Sequence, residues 1–164
     1  MTTLATKNGL ITQSAGVPAL VAAIYRTAAG QSIPHDAYTT VNFDIKELDT
    51  HNAVTTGANW RFTAPVEGLY SVSACILFNV TAAWADEESG RLVLYKNGAT
   101  AMYMDRKDSY GSTVGVYMQL GGSTAIYLAA GDYVDIRLFQ NSGAALPLYA
   151  GANFNRIAIY RVPG

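Results

Sequence analysis

The sequence predicts an all-β sandwich of about ten strands, on three observations. Tyr70, Val72, Ala74, Ile76, Phe78 and Val80 occupy alternate positions, the pattern of a strand with one face buried. Asn97-Gly98 lies between the apolar runs 92–95 and 101–104, and both residues tolerate the positive φ of a two-residue hairpin turn. Glycine, asparagine and aspartate punctuate the remaining apolar stretches at short intervals, with no sustained helical period. No repeat of solenoid or propeller length is present.

Taken in order, residues 1–16 have no strong hydrophobic periodicity and read as an arm, leaving 17–164 as one domain. A polar terminus becomes ordered only when something ties it down. Leu4, Leu10 and Ile11 are therefore the candidate docking side chains, onto a particle or a neighbouring subunit. Residues 19–27 are a first strand. Their alanines would suit a short helix, but Val21, Ile24 and Tyr25 fit a strand, and Ala28-Ala29-Gly30 ends it. Ile33-Pro34-His35 breaks into a loop before a strand at 38–49.

Next comes a short strand through Phe62, a corner, and the long alternating strand. Pro65 has no N–H for a sheet ladder, so the chain must leave the sheet between Phe62 and Gly68. Gly68 permits whatever backbone angle the re-entry needs. Residues 114–120 and 125–129 flank Gly121-Gly122, which predicts a hairpin or a strand bent by a bulge. Gly131-Asp132 turns into 133–140, where Val134, Ile136 and Leu138 form one face. Asn141-Ser142-Gly143 turns out again, and 154–162 closes the sheet.

Phe62, Gly68 and Tyr70 follow the spacing aromatic, five residues, glycine, one residue, tyrosine. On that signature the chain resembles the complement-1q and tumour-necrosis-factor-like jelly-roll superfamily over residues 17–163. The stretches 38–49, 91–98 (ending Leu-Tyr-Lys-Asn-Gly), 128–139 and 154–162 resemble further strands of the family. Val72 and Ala74 stand where aromatics are usual, and Thr55 where another is expected. This phrasing is similar to the bacterial and bacteriophage branch, and no Gly-x-y stalk precedes it. The resemblance implies a jelly roll assembled as a homotrimer, in which the sheet holding the first and last strands faces the threefold axis. Tyr25, Tyr70, Phe154 and Tyr160 are the candidate interface residues on that ground.

Composition narrows the function. A chain of 164 residues buries about 70% of its unfolded surface and needs no staples. Half the residues are hydrophobic and only 14% charged, which leaves apolar surface for an oligomer interface. A net charge of -1 without a basic run argues against nucleic acid as a partner. Cys75 is the sole cysteine, so no intrachain disulfide is expected, and its apolar neighbours predict a buried, inert thiol. No stretch approaches the length of a membrane helix. Residues 17–24 are apolar but short, with only Lys7 as a preceding positive charge, so no signal peptide is expected and the glycosylation-type triplet Asn79-Val80-Thr81 carries little weight.

No catalytic, cofactor or metal motif stands out. His35 and His51 fall in separate loops without partners at metal-ligand spacing. Asp86-Glu87-Glu88 is the densest carboxylate run, and consecutive residues on one loop are ordinarily just solvated. Asp105-Arg106-Lys107-Asp108 reads the same way, as a solvated hairpin end. The 11 tyrosines suit cross-strand ladders, interfaces and sugar-stacking surfaces.

The first expectation is a non-enzymatic, trimeric structural protein of a bacteriophage virion. It would be made in the host cytoplasm and mounted on the particle by its arm, as capsid decoration or a tail-associated protein beside other virion proteins. The alternative is a receptor- or carbohydrate-binding module facing a host cell-surface glycan or protein, which exposed aromatics in loops 83–90 or 146–152 would favour. An enzyme is the last expectation, and would need His35 or His51 to meet carboxylates in a cleft.

Overall fold

The computed structural model describes residues 5–7, 10–12, 20–79, 84–111, 117–151 and 153–163, the first two stretches by backbone alone. The strands are β1 Ala5–Lys7, β2 Leu10–Thr12, β3 Ala22–Arg26, β4 Ser32–Ile33, β5 Thr39–Thr40, β6 Ile45–Asp49, β7 Val54–Thr55 and β8 Arg61–Thr63. They continue with β9 Gly68–Leu77, β10 Ser89–Lys96, β11 Ala99–Asp108, β12 Gln119–Leu128, β13 Tyr133–Gln140, β14 Leu146–Pro147 and β15 Arg156–Arg161. No helix occurs among the described residues.

The chain is an all-β jelly-roll sandwich. Sheet I has the order β12-β9-β15-β3-β6; sheet II has the order β11-β10-β13-β8-β7, with β5 also paired to β13. Their strands pair antiparallel. A short β14-β4 pair lies apart from both, and β1 pairs with β2 as a separate hairpin inside the segment read as an arm.

Alternation along β9 sends Tyr70, Val72, Ala74 and Ile76 inward, and Phe78 follows them into the core; Val80 lies outside the described residues. Sheet II answers with Leu92, Leu94, Val134, Ile136 and Leu138, all without exposed surface. Trp60 meets Phe43 edge-on at 5.2 Å and Tyr25 at 6.2 Å, joining the crossover segment to β3.

The expected corner is present. Phe62 on β8 touches Tyr70 on β9 with centroids 5.6 Å apart, and the Tyr70 hydroxyl donates to the Val66 carbonyl four residues upstream. That bond satisfies a buried hydroxyl and fixes the chain reversal. Gly68 has φ +152°, and a Cβ there would lie 2.5 Å from Arg161 Nε, which donates to Glu67 O. The hairpin turn is also as expected: Asn97 (φ 51°) and Gly98 (φ 80°) join β10 to β11. Asn97 further ties the turn to the next one, donating to Asp132 and accepting from the Tyr133 N–H.

Three expectations are corrected. The strand expected over 38–49 is two short strands in different sheets, β5 in sheet II and β6 in sheet I. The chain crosses the sandwich between them, and Val41 and Phe43 are buried as core from outside any strand. Gly121-Gly122 makes neither hairpin nor bulge, since β12 pairs with β9 without a register shift. These glycines accommodate β11 instead: a Cβ on Gly122 would stand 2.7 Å from Met104 O, and the Gly121 N–H donates to Asp105. Cys75 is half-exposed rather than buried, because the odd positions of β9 face outward; Gln119 Nε2 lies 2.8 Å from its sulfur.

Candidate functional site

The sandwich turns two chemically different outer faces to its surroundings. On sheet I the outward residues fall into rows set by the strand register. One row runs Ser123, Ser73, Ala158, Ile24, Leu48, and its neighbour runs Ala125, Ser71, Tyr160, Ala22. The middle is made of small side chains around a depression of about 330 Å³ lined by Ser73, Cys75, Ala158 and Arg156. Exposed Tyr160, Leu69 and Tyr127 lie beyond it toward one end of the sheet, and exposed Leu48 lies on the edge strand β6. Arg156 is spoken for by Glu47, at 2.8 Å, and Arg26 shares the same carboxylate. The face is apolar toward its Leu69–Tyr127 end and charged on its Arg156–Glu47 side, without a free acid or base at its centre.

Sheet II presents arginines laid on rings. The outward positions of β13 are Tyr133, Asp135, Arg137 and Phe139. The Arg61 guanidinium lies 5.0 Å from the Tyr133 ring centre, Arg137 3.9 Å from Tyr95, and Arg91 4.5 Å from Phe139. Tyr38 packs between Tyr95 and Phe139 and shares a hydrogen bond with the exposed Tyr103 hydroxyl. Asp135, only 4% exposed, accepts from Arg137 Nε at 2.7 Å, which pushes the Arg137 guanidinium up from its ordinary value.

A cleft opens in this face where β13 changes partners. Tyr133 and Val134 pair with β8, Arg137 and Leu138 with β5, and the gap between lies over Asp135. Thr40, Thr55, Asn59, Trp60, Arg61, Tyr133, Asp135 and Arg137 line about 270 Å³ there. Trp60 is buried, and its indole N–H finds no acceptor among the described residues. Neither the arginines nor the cleft was anticipated from the sequence. The alternation Tyr133-x-Asp135-x-Arg137-x-Phe139 against Val134, Ile136 and Leu138 was a readable signal for an outward polar-aromatic row. Which rings meet which arginines depends on strand pairing.

The residues singled out from the sequence disperse. Tyr25 and Tyr70, named as interface candidates, are core residues of a single chain at 4% and 0% exposure, so their rings offer no surface to another copy. Burial, together with the Asp49 carboxylate to which its hydroxyl donates a hydrogen bond, pushes the pKa of Tyr25 up to about 12. Tyr160 is exposed on sheet I, and Phe154 is exposed beside Tyr149, in a loop at 4.9 Å between ring centres. Leu4 lies outside the described residues, and Leu10 and Ile11 are described only as backbone of β2.

His35 and His51 sit on separate exposed loops, accepting from the Gly143 N–H and bonded to Thr50 respectively. No group of metal-ligating side chains forms among the described residues. Glu88 accepts from the Ala85 N–H within its own turn, and Asp86 accepts from the Gly111 N–H in the loop that follows β11. Asp105-Arg106-Lys107-Asp108 ends β11, with Arg106 paired to Asp108. Exposed aromatics in loops 83–90 and 146–152 would favour a binding module, and among the described residues there Trp84 is buried and Tyr149 half-buried.

No protein-family model matches the chain. It is 31% identical over 108 residues to the uncharacterized protein YqcC of Bacillus subtilis (strain 168), a match covering 65% of this chain and 28% of that protein. The chain thus spans well under a third of the length of this curated relative. Among solved structures it is similar to Eiger TNF from S. frugiperda, with TM-score 0.64 and 15% identity over 88% of this chain and 93% of that one. Murine APRIL at pH 5.0 gives TM-score 0.59 and 12% identity over 87% and 99%. The fold is a TNF- and complement-1q-like jelly roll.

Proposed function

We propose that this chain is a non-enzymatic structural protein of a bacteriophage virion, assembled as a homotrimer through the outer face of sheet I and mounted by residues 1–16. The observation that carries the reading is that face. It belongs to the sheet holding β3 and β15, the first and last strands of the sandwich, and combines a patch of small residues with the exposed side chains of Leu48, Leu69, Tyr127 and Tyr160. Small side chains let sheets approach closely, while the exposed leucines and tyrosines supply area that favours burial over water. The bacteriophage placement rests on Val72, Ala74 and Thr55, which stand where the superfamily usually carries aromatics, a phrasing similar to its bacterial and bacteriophage branch. Capsid decoration and tail association are both consistent with it.

Sedimentation or light scattering at micromolar concentration tests the assembly: a trimer of the 17.5 kDa chain is expected. A single-chain mass with cooperative unfolding overturns it. Immunoelectron microscopy of phage particles from the source culture tests the location, with label expected on heads or tails and none on free debris. Removal of residues 1–16 is expected to leave a folded trimer that no longer labels particles.

A further inference from the structure

The cleft on sheet II lies on the face opposite the proposed trimer face, and we propose that it is a binding site for one carboxylate-bearing sugar unit of the uronic-acid kind. Four features lead there. Arg61 and Arg137 both line the cleft, while Asp135, the single carboxylate in the lining, is engaged by Arg137. Among the described residues the Arg61 side chain has neither a carboxylate nor a hydrogen-bond partner; its contact is the Tyr133 ring at 5.0 Å. The lining therefore carries one uncompensated positive charge, on a planar fork whose donors match a carboxylate in bidentate fashion. The ring beneath it limits the guanidinium's freedom before any ligand arrives.

The remaining lining is chosen for hydroxyls rather than for hydrocarbon. Thr40, Thr55 and Asn59 supply donors and acceptors, which suit ring hydroxyls and would be left unpaired by an aliphatic acid. The volume, about 270 Å³, lies at the low end of small-molecule sites and admits one monosaccharide rather than a lipid or a folded peptide. Trp60 also lines the cleft, and its buried indole N–H lacks an acceptor among the described residues, so the signal of this residue serves as the reporter of occupancy. The cleft lies on the sheet opposite the proposed trimer face, so failure of either proposal leaves the other standing.

The test uses the full, isotope-labelled chain, titrated with sodium glucuronate and followed by calorimetry and by the tryptophan indole N–H signals. A Kd on the order of 1 mM is expected for a ligand of this size, with the Trp60 signal moving and the Trp84 signal still. Glucose, acetate and inorganic phosphate at the same concentrations are expected to bind at least about tenfold more weakly. Arg61→Gln, at an exposed position, is expected to weaken glucuronate by roughly tenfold or more with an unchanged melting temperature. Thr55→Val is expected to weaken glucuronate while leaving the weak acetate response as it was. No Trp60 response to glucuronate, an equal response to glucose, or an unaffected Arg61→Gln variant overturns the proposal. Equal binding of acetate or phosphate overturns its sugar component, showing a site that reads any small oxyanion.

Discussion

The two outer faces of one sandwich solve opposite problems. Sheet I places serine, alanine and glycine at its centre and keeps its charges, Arg26, Arg156 and Glu47, bonded to one another at one side. Sheet II spends the same outward positions on Arg61, Arg91 and Arg137, each held flat on a ring. A guanidinium stacked on tyrosine keeps its edge free for hydrogen bonds, so this face stays hydrated and selective. A face of small side chains offers neither charge nor anchor by itself, and gains only by being covered. Strand alternation partitions inside from outside, whereas the identity of the outward set decides what chemistry each sheet offers to its surroundings.

The sharpest way to break this contrast is Ala158→Arg. A charge at the centre of sheet I would be buried without a partner in a trimer, at a cost of several kcal/mol (about 3–5 per interface). The expected outcome is a single-chain mass with an intact fold by circular dichroism; a persisting trimer would remove sheet I from the assembly. Phe62→Ala acts beneath both faces, where the two sheets meet at Tyr70, and is expected to cost about 3–5 kcal/mol in denaturant unfolding.

Arg137→Ala tests sheet II alone. It leaves the Asp135 carboxylate buried and unpaired, for an expected loss of about 3 kcal/mol, while the oligomeric mass stays unchanged. Gly68→Val should cost about 1–3 kcal/mol, because φ +152° and the Arg161 side chain both exclude a branched Cβ. A melting temperature equal to wild type would show that the corner relaxes.

The smallest effect concerns the hairpin end of sheet II. Lys96, then the Asn97 amide and the Ala129 N–H, hold the Asp132 carboxyl down at about 2. A carboxylate depressed in the folded state stabilises above its unfolded value of about 3.9, and that contribution is lost as the pH falls toward 2. Asp132→Asn should therefore show a shallower loss of melting temperature between about pH 4 and pH 2 than wild type. Parallel acid limbs would mean the turn is already open in that range.

Local chemistry was enough for a good part of this molecule. Period-two burial along 70–78 names the core face of β9 because side chains must alternate in any strand. Asn97-Gly98 names its turn because few residue pairs accept two consecutive positive φ values. Phe62, Gly68 and Tyr70 mark the corner because Pro65 forces the exit and glycine permits the return. What alternation cannot supply is the partner on the other side. The 38–49 run reads as one strand, yet β5 and β6 join different sheets, since the crossover is set by which edges remain open along β13 and β3. Gly121-Gly122 reads as a break, yet it is a straight strand made thin so that β11 can lie against it. Tyr25 and Cys75 each sit on alternating strands, and only the packed sheets decide that the tyrosine is inside and the thiol outside. The Arg61–Tyr133 and Arg137–Tyr95 stacks bring together residues 72 and 42 positions apart, a proximity set by sheet order, which no pattern within a single strand encodes.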